Sequence, residues 1–149
     1  MAEYVANAVQ TVSLNNPVLL SASIPCNRGC IYHEDESGVF TLCGKTSNGF
    51  ARYYATFNGN IAIPEGGTVA PIALAISVSG EAKPTSRAIF TPAAVDQYGN
   101  VTSVATIDVP RLCCFSVSVR YVSGSDDPTV TPPTSINVQN ANLVINRIA

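Results

Sequence analysis

The sequence predicts an all-β chain, and three observations carry that prediction. Apolar residues alternate with polar or small ones at period two, the alternating runs are short, and Gly, Pro, Asn and Asp separate them. Alternation of this kind is the pattern of antiparallel sheets that keep one face dry. Residues 91–97 have room for one helical turn, but no run is long enough for an amphipathic helix.

Taken in order, the shorter predicted strands cover residues 5–12, 18–24, 30–32, 39–43, 50–57, 61–63 and 88–90. Turn signals lie between them at 15–17, 36–38, 58–60, 64–67 and 97–100, and Asn58-Gly59 reads as a hairpin turn because both residues tolerate positive φ. Ile72, Leu74, Ile76 and Val78 form one face of a further strand whose other face carries only Ala73, Ala75 and Ser77. So small a second face admits close approach of another layer. Val101, Ser103, Ala105, Ile107 and Val109 alternate with Thr102, Val104, Thr106 and Asp108 until Pro110, which lacks a ladder donor, ends the run.

The clearest strand covers 113–121, with Cys113, Phe115, Val117, Val119 and Tyr121 on one face and Cys114, Ser116, Ser118 and Arg120 on the other. Residues 123–135 read as a long, exposed, loosely held loop. In the last segment Ile136 and Val138 have one parity while Ala141, Leu143 and Ile145 have the opposite one, which requires a bulge or bend near Asn140. Nine or ten short strands in 149 residues leave a single domain, 1–149, built as a sandwich, jelly roll or barrel.

Composition narrows the function. Only 12% of residues are charged, against roughly 25% in ordinary soluble domains, which suggests that other subunits cover part of the surface. A net charge of -2 and scattered basic residues argue against nucleic acid and anionic membranes as partners. The first residues lack a secretory signal pattern, and no apolar run has membrane-spanning length. Folding in a cytoplasm is therefore expected, with the five cysteines mainly free structural thiols.

Few constellations could carry chemistry. Cys26, Cys30, His33 and Cys43 are weak metal candidates, since thiolate and imidazole suit zinc but the other half of a closed site is missing. A Cys26–Cys30 or Cys30–Cys43 disulfide is the other reading of the cluster. Adjacent Cys113 and Cys114 are expected to pack independently on opposite faces. Glu34-Asp35-Glu36 and Asp126-Asp127 read as solvated turns, without the spacing of a calcium loop. His33 is the sole imidazole and has no nucleophile elbow beside it, and Gly66-Gly67 precedes a strand and not a helix. Asn100-Val101-Thr102 fits a glycosylation acceptor but reads as a turn entering a strand. No catalytic residue and no cofactor is assigned, and the chain is not expected to be an enzyme.

The order of segments adds a resemblance. Gln10-Thr11-Val12, Pro17-Val18-Leu19-Leu20, Ile31-Tyr32-His33, Ser37-Gly38-Val39-Phe40-Thr41-Leu42, the stretch 50–63 and the closing run Asn140-Ala141-Asn142-Leu143-Val144-Ile145-Asn146-Arg147-Ile148 together resemble the C1q/TNF-like jelly-roll family. They are most similar to its bacterial and phage branch, which includes the C-terminal domain of spore-surface collagen-like glycoproteins. The resemblance spans nearly the whole chain, though the collagen stalk and the leader of other members are missing.

It implies a ten-stranded jelly roll that assembles as a homotrimer, with Tyr53, Tyr54, Phe57, Phe115 and Tyr121 as candidate residues at the threefold interface, simple core packing being the other reading of these aromatics. It further implies a structural protein of a phage or prophage: a capsid decoration, head fibre or fibre knob made in the bacterial cytoplasm, carried on the virion and touching other virion proteins. The alternatives are a carbohydrate- or receptor-binding module that meets a host-surface glycan, and a bacterial spore or cell-surface protein. The binding alternative predicts a groove with exposed aromatics near Tyr98 or the 123–135 loop.

Overall fold

The computed structural model describes residues 2–20, 22–24, 31–33 and 36–148, with the side chains of 2 and 22–24 left aside. The described residues form two six-stranded antiparallel sheets. The first sheet, A, contains β1 (Ala2–Ala6), β2 (Gln10–Ser13), β3 (Ala22–Ile24), β6 (Phe50–Ala62), β10 (Gly99–Pro110) and β12 (Ser135–Arg147). The second, B, contains β4 (Ile31–His33), β5 (Phe40–Cys43), β7 (Ile72–Val78), β8 (Glu81–Ala82), β9 (Ala88–Phe90) and β11 (Cys114–Ser123). Their order is β10-β6-β12-β1-β3, with β2 also on β12, and β4-β5-β11-β7-β8, with β9 also on β7.

Period-two alternation becomes the packing directly. Along β10, Val101, Ser103, Ala105, Ile107 and Val109 are buried while their neighbours are exposed. Ala51, Tyr53, Ala55, Phe57 and Ile61 of β6 point inward beside them. Sheet B answers with Phe40, Leu42, Ile72, Leu74, Ile76, Val117, Val119 and Tyr121, so the two inner faces share one core. The tyrosines place their rings in the core and their hydroxyls on backbone carbonyls: Tyr53 Oη donates to Cys43 O at 2.7 Å and Tyr121 Oη to Pro133 O at 2.6 Å.

The parity change in the last strand is real. The β12–β6 register shifts between Gln139 and Asn142, and Asn140 has φ of 53°. The segment expected as one strand at 5–12 is split to match, with β2 pairing β12 before the bulge and β1 pairing it after.

Several expectations need correction. Asn58-Gly59 makes no hairpin, because β6 runs straight through and joins the runs 50–57 and 61–63 into one strand. Gly59 lies on the inward parity, and a Cβ there would meet the Phe57 ring at 3.1 Å, so the glycine makes room for an aromatic ring. Residues 91–97 hold no helix, and among the described residues the one 3-10 turn is Pro84–Ser86. The expected strand 18–24 is reduced to β3, with Leu20 instead bridging Ser37. Twelve strand segments appear among the described residues, where nine or ten were expected.

The seam between the sheets was not foreseen. Ile76 N of β7 donates to Ser86 Oγ at 2.9 Å, and Ser103 Oγ of β10 donates to Ser86 O. A buried serine thus satisfies polar groups of both sheets along their open side.

Candidate functional site

Inward-facing residues are spent on the core, so the surfaces available for recognition are the outer faces and the ends. The outer face of sheet A is built from alternate residues of three adjacent strands. Tyr54 lies opposite Thr106 and Asn146, and Thr56 lies opposite Val104 and Val144. Tyr54 and Val104 are 40% and 42% exposed, large for side chains on a regular strand. At one margin Arg52 donates to both carboxylate oxygens of Asp108 at 2.7 and 3.0 Å, and Lys83 Nζ donates to Thr106 O at 2.8 Å beside Tyr54 and Val104. The hydrogen bond from Arg52, with the guanidinium charge, holds the Asp108 carboxyl below its ordinary range.

Towards the other end of the same face, Asn100 Nδ2 donates to Asn58 Oδ1 at 2.7 Å and to Asn60 Oδ1 at 3.1 Å. Asn142 Nδ2 donates to Glu3 Oε1 at 2.6 Å. The face therefore mixes exposed apolar side chains with paired polar groups, and it carries Glu3 in the row of Val144 and Thr56 and Lys83 beside Tyr54 and Val104.

Of the five residues proposed for the threefold interface, only Tyr54 stands out on a surface. Tyr53, Phe57 and Tyr121 have no accessible area within the single chain, so they pack this subunit's own core and present nothing to a second one. Phe115 is half-buried against the core. Sequence could not separate these cases, because an aromatic at either parity of a strand reads alike until the partner sheet is known.

The cysteine cluster is rearranged. Cys43 and Cys114 lie directly opposite each other on β5 and β11, with Cα atoms 4.2 Å apart, and are joined as a disulfide. This corrects the free-thiol expectation for both, and replaces the expected Cys30–Cys43 alternative. The pair lies 71 residues apart in sequence, out of reach of any local spacing argument. Cys113 is exposed and free. Cys26 and Cys30 lie outside the described residues, and Cys43, being bonded, offers no thiolate to a metal.

His33 is stacked on Phe40 with ring centroids 4.1 Å apart and leans on Tyr4 at 4.7 Å. Its Nε2 lies 2.8 Å from the Ser37 carbonyl and donates to it. The imidazole thus packs as part of an aromatic cluster. Among the described residues, no group of three or more His, Cys, Asp or Glu side chains comes together as a metal site. Of the acidic turns, Glu34 and Asp35 lie outside the described residues. Asp126 is paired with Arg87 at 2.9 and 3.2 Å, while Asp127 accepts from Thr129 N and Oγ1 at 2.9 and 2.8 Å. These bonds hold both carboxyls below their ordinary range.

At one end of the sandwich the turn after β6 and the segment before β12 enclose a cleft of about 400 Å³, lined by residues 64–68 and 131–135. Sequence had assigned these stretches to a turn and a loop. The expectation that 123–135 is loosely held does not fit its hydrogen bonding: Tyr121 Oη, Arg87 and Thr129 all fasten parts of it. No aromatic lines the cleft.

Two facing antiparallel sheets in this order form a jelly-roll sandwich, and the fold is similar to that of C1q and TNF domains. Among solved structures it is similar to the globular domain of zebrafish complement 1qA protein, with TM-score 0.63 and 13% identity over 99% of this chain and 96% of that one. It is also similar to Eiger TNF from S. frugiperda, with TM-score 0.66 and 9% identity over 100% and 92%. Murine APRIL matches with TM-score 0.52 and 12% identity over 93% and 98%. At such identities the likeness concerns the fold. No family model matches the sequence, and no curated protein does.

Proposed function

We propose that this chain is a non-enzymatic assembly module, packing as a homotrimer through the outer face of sheet A and serving as a structural protein of a phage particle. The observation that carries the assembly reading is that face itself. Tyr54 and Val104 stand exposed on the adjacent strands β6 and β10, and Arg52 and Asp108 neutralise each other beside them. Interface cores are depleted of charge and enriched in aromatics, which anchor at low entropic cost. The 12% charged composition supports the same reading, since a lone subunit would be weakly protected against association. The particle assignment rests on the sequence resemblance to the phage branch.

Sedimentation analysis at micromolar concentration tests the assembly, with a trimer expected and a stable monomer refuting it. Tyr54→Glu buries three uncompensated carboxylates in such an interface and is expected to weaken assembly by at least about 100-fold. Ile89→Glu, at a 50% exposed position on the outer face of sheet B, is expected to leave it unchanged. Mass spectrometry of purified particles tests the virion role, which fails if the chain is absent from them.

A further inference from the structure

We infer that the end cleft between residues 64–68 and 131–135 is a binding site for a neutral saccharide. Both walls are built in advance. Gly67 N donates to Pro64 O at 3.0 Å, and Gly66 has φ of 85°, the positive value that the third position of a type II turn requires. Glu65 is thereby held at the tip of a turn that only glycine completes.

The opposite wall carries Pro132-Pro133, whose φ angles are fixed by their rings. It is fastened from below by Tyr121 Oη on Pro133 O at 2.6 Å and by Leu14 N on Thr134 O at 3.0 Å. A site held this way loses little entropy on binding.

The chemistry of the walls selects the ligand class. Thr68, Thr131, Thr134 and Ser135 bring hydroxyls that donate and accept, and Glu65 brings a carboxylate that only accepts. None of these side chains makes a hydrogen bond to a described residue, whereas Ser123, Ser125 and Asp127 of the same loop spend theirs on local turns. The space of about 400 Å³ falls in the range of small-ligand sites. Glu65 is the only charged group in the lining, so an anion is disfavoured. One carboxylate is too few for a calcium ion, which draws several charged or carbonyl oxygens. A polyol of alternating donors and acceptors matches what is left. The absence of an aromatic platform from the lining implies weak, hydrogen-bonded recognition, near millimolar for one sugar unit.

The test uses the intact chain with labelled threonine methyls, titrated with glucose, galactose, mannose and N-acetylglucosamine to about 10 mM, alongside a glycan array. Saturable shifts at Thr68 and Thr131, weakened about tenfold or more by Glu65→Gln and by Thr134→Val at unchanged unfolding temperature, are the expected result. The inference is overturned if no saccharide binds, or if binding survives both substitutions. Saturable shifts of the same methyls by calcium chloride alone, with no response to sugar, overturn it equally.

Discussion

The outer faces of the two sheets are made from the same alternation and end up as opposites. On sheet A, Tyr54, Val104, Thr56 and Val144 stand up from the strands, and the Arg52–Asp108 ion pair sits at the edge. On sheet B, the corresponding positions of β7 are Ala73, Ala75 and Ser77, all buried despite facing outward. Arg120 and Val122 of β11 flank them by register, and Arg87 reaches over from beyond β9 to meet Asp126. Sheet B covers the outward residues of β7 with its own side chains and ties β5 to β11 with a disulfide, leaving Ile89 of β9 exposed, whereas sheet A leaves Tyr54 and Val104 exposed.

The largest effect expected on stability probes how far sheet B is self-sufficient. The Cys43–Cys114 bond ties β5 to β11 across 71 residues of chain, and restraint of an unfolded loop of that length is worth about 2–4 kcal/mol. Replacing both cysteines with serine should lower the denaturant midpoint accordingly, and a reducing agent should do the same to the parent chain. An unchanged midpoint would mean that β5 is held by its ladder and core contacts alone. Cys113 should react with a thiol reagent in the folded parent chain, and Cys43 and Cys114 should not.

The next effect concerns what lies beneath both faces. Burial pushes the Tyr121 hydroxyl up to about 12 from its ordinary value of 10. Its folded value is raised, so the unfolded chain ionises first, and stability that is complete below about pH 10 drains away as pH rises towards 12. The loss amounts to about 2–3 kcal/mol at the end of that window. Urea unfolding from pH 8 upward should follow this slope. Tyr121→Phe should flatten it while costing about 1 kcal/mol at neutral pH, because the buried Pro133 carbonyl loses its donor. A slope that persists in Tyr121→Phe would assign the alkaline loss to another group.

How much of this was legible in the sequence depends on how local the signal is. The parity switch at Asn140 and the limits of β7 follow from period two alone, because each strand carries its own pattern, whereas the alternation in β10 left its inward set open until the burial of Val101, Ser103, Ala105, Ile107 and Val109 settled it. Gly59 was misread because a glycine marks a close approach inside a strand as well as a turn, and here the Phe57 ring takes the room that a Cβ would need. The disulfide, the Ser86 seam and the burial of Tyr53, Phe57 and Tyr121 depend on which strands become neighbours, which no single segment encodes. The end cleft joins residues about 67 apart for the same reason. Its parts were visible as a turn and a proline-rich loop, and their meeting was not.

The smallest effect asks whether sheet B is covered by charge or by hydrocarbon. Arg87 pairs with Asp126, but the aspartate side chain is 86% exposed, while the Arg87 side chain is only 24% exposed and lines a depression floored by Ala75 and Val122. An ion pair with one partner in water contributes little and is screened by salt, whereas an arginine stem laid over apolar surface contributes through packing. The two contributions separate by substitution. Arg87→Met keeps a stem of similar reach and removes the charge, and Arg87→Ala removes both. If the stem does the covering, Met should leave stability near that of the parent, and Ala should lower it slightly and equally at low and high salt. Asp126, held below its ordinary range chiefly by the hydrogen bond from Arg87, should titrate at higher pH in both variants, as carboxyl NMR would read. The pair's share of stability is present above the ordinary aspartate value and lost as pH falls through the lowered one. A Met variant as destabilised as Ala, with the difference abolished by salt, would show that sheet B is closed by charge after all, and would narrow its contrast with sheet A.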